Sequence, residues 1–170
     1  IGLARHDIVI ANAYFLPGRK LRKALVHAAL RGVRVRLLLQ GRYEYFMQYH
    51  AARPVYRQML EAGVEIYEYA ESFLHAKVAV IDAQHDRPWA TVGSSNLDPI
   101  SLLLAREANV VVADPFFAKR LREGLEHAMS TKSQRIMPQS LLERSQFQRA
   151  MDWTAFGLMR LAIWLTGNRY

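Results

Sequence analysis

Short β-branched runs alternate with helix-forming segments through the first half of this chain, and that order leaves few folds open. Asp7 to Ala13 reads as a buried strand, which Pro17 and Gly18 bring to an end. Leu21, Ala24, Leu25 and Ala28 then recur at helical spacing, with Lys20, Lys23, His27 and Arg31 on the opposite face and Gly32 as the stop. Val33 to Leu39 predicts a second strand. Gly41 to Tyr49 reads as an aromatic loop, Val55 to Ala62 as a helix, and Val64 to Tyr67 as a third strand. Strand, helix, strand, helix, strand implies an α/β fold with a mixed, largely parallel sheet flanked by helices.

Further strands are expected at Ala76 to Ile81, Trp89 to Val92 and Glu107 to Val112, the first two joined by a turn-rich segment from Asp82 to Pro88. Pro115 to Ser130 reads as a helix capped by Asp114, and the chain from Pro138 onward as helical and increasingly apolar. The expected division is a catalytic half-domain over residues 1–132 and a helical tail over 133–170. Ile1 to Arg5 reads as the end of a helix already under way, so the chain is expected to be the C-terminal part of a longer protein.

His75-Ala-Lys77 stands at the head of one of these strands. Alternation in an extended segment would put an imidazole and an ammonium on one face, and a buried ammonium needs an anion nearby. The loop Gly93-Ser94-Ser95-Asn96 supplies small donors beyond the following strand. A His, a fixed cation and a cup of hydroxyl and amide donors together suit attack at a phosphodiester. The chain has no cysteine, which excludes disulfides and thiolate metal sites. Its net charge of +8 favours a polyanionic partner: nucleic acid, an anionic membrane surface or phosphorylated substrates.

The pattern His75-x-Lys77-x-x-x-x-Asp82, then Gly93-Ser94-x-Asn96, then Glu107, resembles the HKD motif of the phospholipase D superfamily. Tyr14-Phe15-x-Pro17, Arg31-Gly32-Val33 and the run from Asn96-Leu97-Asp98-Pro99 through Ser101 to Glu107-Ala-Asn109 are similar to the second half of bacterial cardiolipin synthases, most of all the B type. The stretch between Asp82 and Gly93 is longer than the family's usual spacing, with the extra residues falling in the turn between two strands.

This resemblance implies phosphatidyl transfer through a phosphohistidine. His75 is the nucleophile or the acid, Lys77 neutralises the non-bridging oxygens, and Ser94 and Asn96 bind the phosphate. Glu107 orients the His75 ring. Asp82 is the motif's third catalytic residue, a proton carrier by resemblance; its place at the far end of the strand suggests instead turn formation or pairing with a basic neighbour. The scheme calls for no metal or other cofactor.

The superfamily builds its active site from two HKD motifs, and this sequence holds one, so a second HKD half is expected as a partner. It would come from an N-terminal half of the full-length chain or from a homodimer mate. The implied substrates are anionic phospholipids resembling phosphatidylglycerol, met at a membrane surface on the cytoplasmic side of a bacterial inner membrane. Nucleic acid is no partner in this reading. The alternatives are a homodimeric nuclease or phosphodiesterase of the same superfamily, and a non-catalytic module that binds phosphate or membrane.

Three features outside the motif have two readings each. The basic stripe Lys20, Lys23, His27, Arg31 is a solvated helix face or a headgroup contact. Tyr43, Tyr45, Phe46 and Tyr49 suit a membrane interface or a loop packed on the core. Trp153 to Leu165 carries a single charge, Arg160, and is too short to span a bilayer. It packs against a partner half or lies in the membrane interface, with Trp153, Trp164, Arg169 and Tyr170 favouring the latter.

Overall fold

A computed structural model describes residues 1–42 and 46–165, apart from the side chains of Pro99, Ile100 and Ile163. Tyr43 and Tyr45 of the aromatic segment, and Arg169 and Tyr170 of the tail, lie outside the described residues. The strands are β1 (Asp7–Asn12), β2 (Arg34–Gln40), β3 (Glu65–Tyr69), β4 (Lys77–Ile81), β5 (Trp89–Gly93), β6 (Asn109–Val112) and β7 (Ser133–Ile136). The helices are α1 (Arg19–Leu30), α2 (Phe46–Glu61), α3 (Pro99–Leu103), α4 (Pro115–Thr131), α5 (Pro138–Leu142) and α6 (Gln146–Leu165).

All seven strands join one sheet in the order β6-β5-β4-β1-β2-β3-β7. The sheet is mixed, as expected, but less parallel than the sequence suggested. Pairs β1–β2 and β2–β3 run parallel, whereas β1–β4, β4–β5, β5–β6 and β3–β7 are antiparallel. The reason lies in the connections: a helix carries β1 over to its parallel neighbour β2 and β2 over to β3, whereas β4 turns back through a short hairpin into β5 and α4 carries the chain from β6 to the far edge at β7.

Strand alternation divides the core in two. Ile8, Ile10, Val35, Leu37, Leu39 and Ile66 point toward α1, α2 and α6, while Val9, Ala11, Leu38, Val80 and Ala90 point toward α4. β1 is buried along its whole length, which explains its unbroken β-branched run.

Three local expectations need correction. Residues 1–4 form a turn closed by the Ala4 N–H on the Ile1 carbonyl oxygen (3.2 Å), not a helix end. Helix α2 begins at Phe46, inside the expected aromatic loop, and runs through Pro54. Burial of Ala51, Ala52, Val55 and Met59 outweighs the one backbone hydrogen bond that Pro54 forgoes. Residues 133–136, expected to open the helical tail, instead form β7 on the β3 edge. Ser133, Gln134 and Arg135 carry no apolar alternation, so only pairing with β3 makes them a strand.

Candidate active site

Lys77 opens β4 and stands opposite Asn12, the last residue of β1. The Lys77 residue is only 8% exposed, so its ammonium is held largely out of water. Burial holds its pKa below the ordinary lysine value, and the carboxylate of Glu107 partly offsets that effect. Lys77 Nζ donates to the carbonyl oxygen of His75 at 3.3 Å and makes no ion pair within 4 Å among the described residues.

His75 is exposed and lies just outside the strand, which starts one residue later than its sequence suggested. Alternation along β4 therefore puts Lys77 on the sheet face shared by Ala79 and Ile81, while His75 sits in the segment that leads into the strand.

Loop 94–97 is stitched to both neighbouring strands. Asn12 Oδ1 accepts from the Leu97 N–H (3.0 Å), and Asn12 Nδ2 donates to the Ser95 carbonyl oxygen (3.4 Å). The Ser94 N–H donates to the Ala108 carbonyl oxygen, and the Ala108 N–H donates to Ser94 Oγ, both at 3.0 Å. Asn109 Nδ2 donates to Ser95 Oγ at 2.6 Å. Gly93 is required here by contact rather than by dihedral freedom: a Cβ would lie 2.0 Å from Asn109 Oδ1 and 2.5 Å from the Ala108 carbonyl oxygen.

Glu107 is drawn into this loop. Its carboxylate accepts from Ser101 Oγ, which in turn accepts the Asn96 N–H at 2.9 Å. Hydrogen bonds from Ser101 first, then Ser94, hold Glu107 below the usual carboxylate range, with Lys77 adding to the effect. No hydrogen bond joins Glu107 to the His75 ring among the described residues; the carboxylate braces the loop and faces Lys77. Asn96 leaves its Oδ1 buried with no hydrogen-bond partner, an acceptor the fold itself does not satisfy.

Asp82 is placed away from this cluster, at the opposite end of β4. Its carboxylate accepts the backbone N–H groups of Arg5 (2.9 Å), His6 (2.8 Å) and Asp7 (2.9 Å). Burial acts to raise its pKa, but the donors at Asp7, Arg5 and His6 prevail and hold it below the ordinary aspartate value. Asp82 thus fastens the chain entering β1, from a left-handed backbone position (φ 50°) at the start of the hairpin. It is not in reach of the Lys77 end, and it takes backbone donors rather than a basic side chain.

A groove of about 380 Å³ runs from Lys77 and Asn12 along β4 and β5, with Leu97, Leu102, Trp89 and Val111 on its walls. A buried cation at one end of an apolar groove suits a phosphate joined to hydrocarbon.

The sequence matches the family described as Cardiolipin synthase, PLD-like domain, over residues 1–129. The chain belongs to that family. It is 40% identical over 169 residues to cardiolipin synthase B of Escherichia coli K12, a match covering 97% of this chain and 40% of the relative. The chain therefore spans about two fifths of the length of that curated relative. Among solved structures it is similar in fold to Nuc of Salmonella typhimurium, a phospholipase D family member (TM-score 0.65, 20% identity, 80% of this chain and 85% of that one). It is also similar to phosphatidylserine synthase of Haemophilus influenzae (TM-score 0.68, 15% identity, 96% of this chain and 41% of that one).

Asn12 went unremarked in the sequence, and Ser101 and Asn109 figured there only in the resemblance, with no role at the site. Asn12 looked like the end of an apolar strand, and Ser101 and Asn109 gain their meaning only when loop 94–97 folds against β6.

Proposed function

We propose that this chain is one half of a phosphatidyltransferase that makes cardiolipin, with His75 as nucleophile or proton carrier and Lys77 as the phosphate-binding cation. The observation that carries the reading is the buried Lys77 ammonium, without an ion-pair partner among the described residues, at the head of an apolar groove. A lipid phosphate would supply the missing charge and its glycerol and acyl carbons would line the groove.

With His75 as nucleophile, its ring nitrogen attacks the phosphorus of a phosphatidylglycerol-like donor. The P–O bond to the headgroup breaks, and the departing alkoxide takes a proton from the imidazole of a second HKD half. The hydroxyl of an acceptor lipid then attacks phosphorus and gives its proton back to that imidazole, while the P–N bond breaks. Lys77, Ser94 and Asn96 meet the non-bridging oxygens, where negative charge accumulates.

The second half docks at β6. This edge strand is unpaired on its outer side among the described residues, and its Val110 and Val111 are 64% and 66% exposed on opposite faces. Leu104, beside the site, is exposed as well. Cover for these side chains and a second imidazole come from the same partner.

The basic charge favours one other reading, a phosphodiesterase acting on nucleic acid. Incubation of the full-length protein with labelled phosphatidylglycerol and, separately, with DNA distinguishes the two. Cardiolipin formation, an acid-labile labelled protein adduct, and loss of both in His75→Ala are expected. Cleaved DNA with untouched lipid would replace this reading by the nuclease. Unchanged turnover in His75→Ala would leave only a binding module.

A further inference from the structure

Helix α6 is apolar on two opposite faces, and only one of them is used inside the fold. Asp152, Ala155, Phe156 and Met159 turn inward against α2 and the core. A buried ionic cluster locks this contact: His50 Nδ1 lies 2.6 Å from Asp152 Oδ1, and Arg144 grips both oxygens of Asp152 at 2.8 and 3.0 Å.

The outer face presents Trp153 (61% exposed), Leu161, Trp164 (68% exposed) and Leu165 to solvent. An outward stripe of that kind is not accounted for by packing within this chain. α6 bears no acidic residue other than the buried Asp152.

Positive charge gathers beside this stripe. Arg149 and Arg160 flank it on α6, and Arg160 adjoins Arg22 in the first turn of α1, where Arg19, Lys20 and Lys23 follow the basic stripe. Burial, then the like charges of Arg160 and Arg19, hold the Arg22 guanidinium below its ordinary pKa. Between Asp7 and Glu44 the sequence contains no acidic residue at all. These six cations beside tryptophan and leucine match the two layers of an anionic bilayer surface, headgroup and acyl boundary.

The position is also right. His50, which anchors α6 on α2, and Arg22, the α1 neighbour of Arg160, lie in the opening turns of helices that start from the carboxyl ends of β2 and β1. Lys77 stands at that same end, beside Asn12. α6 rides on α2, which packs on β3, whereas β6 closes the opposite side of the sheet. A partner half at β6 therefore leaves this face free.

We infer that the outer face of α6, with the first turn of α1, is a docking surface for an anionic phospholipid bilayer, holding the Lys77 end of the sheet at the lipid surface. This rests on the lipid-enzyme reading only for its purpose; the binding itself is separable. α6 lies on the membrane: no described helix is long and apolar enough to cross one.

The test uses full-length protein, with Trp153→Phe plus Trp164→Phe as the fluorescence reference, and vesicles of phosphatidylcholine with or without an equal share of phosphatidylglycerol. Lipids brominated on the acyl chain should quench Trp153 and Trp164 fluorescence in the anionic vesicles and much less in the neutral ones. Trp153→Ser with Leu161→Ser and Trp164→Ser should weaken vesicle binding at least about tenfold. Arg19→Glu with Arg160→Glu, which leaves the apolar face intact, should cost at least about fivefold per charge at low salt and little at high salt.

Circular dichroism and thermal unfolding show whether each variant is folded. Equal binding by both folded variants, or absent quenching, would overturn the inference. So would a serine variant that loses self-association while keeping its vesicle affinity, since the face would then be a protein contact. Vesicle binding without cardiolipin formation would leave this surface standing and overturn the functional reading alone. Cardiolipin formation with undiminished binding by the variants would do the reverse.

Discussion

Asn12 and Lys77 face each other across β1 and β4, and the Asn12 amide ties loop 94–97 to that same point. One buried side chain therefore sets the distance between the cation and the loop that would share its phosphate. Asn12→Ala removes both hydrogen bonds and leaves the Leu97 N–H without its acceptor. A loss of about 2 kcal/mol in denaturant unfolding is expected, together with a fall in cardiolipin turnover at saturating lipid.

Lys77→Met should lower turnover by about 10²-fold or more, the scale set by loss of a group that stabilises transition-state charge. Stability should hold or rise slightly, because an uncompensated buried charge is removed. In the native protein the lowered pKa puts deprotonation of Lys77 below the ordinary value of 10.5. The alkaline limb of the turnover–pH profile should accordingly begin below that value. A profile flat to that pH would contradict the role.

Gly93→Ala forces a Cβ against the Asn109 amide and the Ala108 carbonyl. Backbone cannot give way there without separating β5 from β6. We expect a cost of about 1–3 kcal/mol in thermal unfolding, and turnover reduced more than Gly124→Ala reduces it, where a Cβ meets nothing.

Asp82→Asn tests a structural assignment through pH. The folded pKa lies below the unfolded one, so the carboxylate stabilises the fold at pH above about 4. That contribution fades as pH falls through the lower folded value. The substitution should cost about 1–3 kcal/mol at neutral pH. The gap between variant and parent should close in acid, as followed by unfolding curves across the acid range. A variant as stable as the parent at neutrality, yet inactive, would return Asp82 to the chemistry.

Asp152→Ala removes the carboxylate that His50 and Arg144 share. Breaking one member of such a cluster costs about 3–5 kcal/mol. Earlier protease cleavage between α5 and α6 should accompany the loss if the cluster is what holds α6 in place.

Much of the fold was legible because its signals are local. The β-branched runs, Gly32, Gly63 and the Asp114–Pro115 start of α4 each act within a few residues. Direction of pairing was not legible, since antiparallel β4 and β6 carry the same kind of apolar run that parallel strands do. β7 was missed for the opposite reason, having no apolar alternation to read. At the site, residue types and spacing pointed to Lys77, Ser94, Asn96 and Glu107 as one cluster. They did not reveal that Ser101 takes the Glu107 carboxylate, because that depends on how α3 turns the chain back. Asp82 illustrates the limit most clearly: sequence gave its place in the motif, and only the fold gave its three backbone donors.

The margin of β6, uncovered among the described residues, has a cost during synthesis. Valines on either side of a free β edge invite any extended chain to add itself, so this chain made alone should stick to copies of itself as its concentration rises. Light scattering across a dilution series would register that growth.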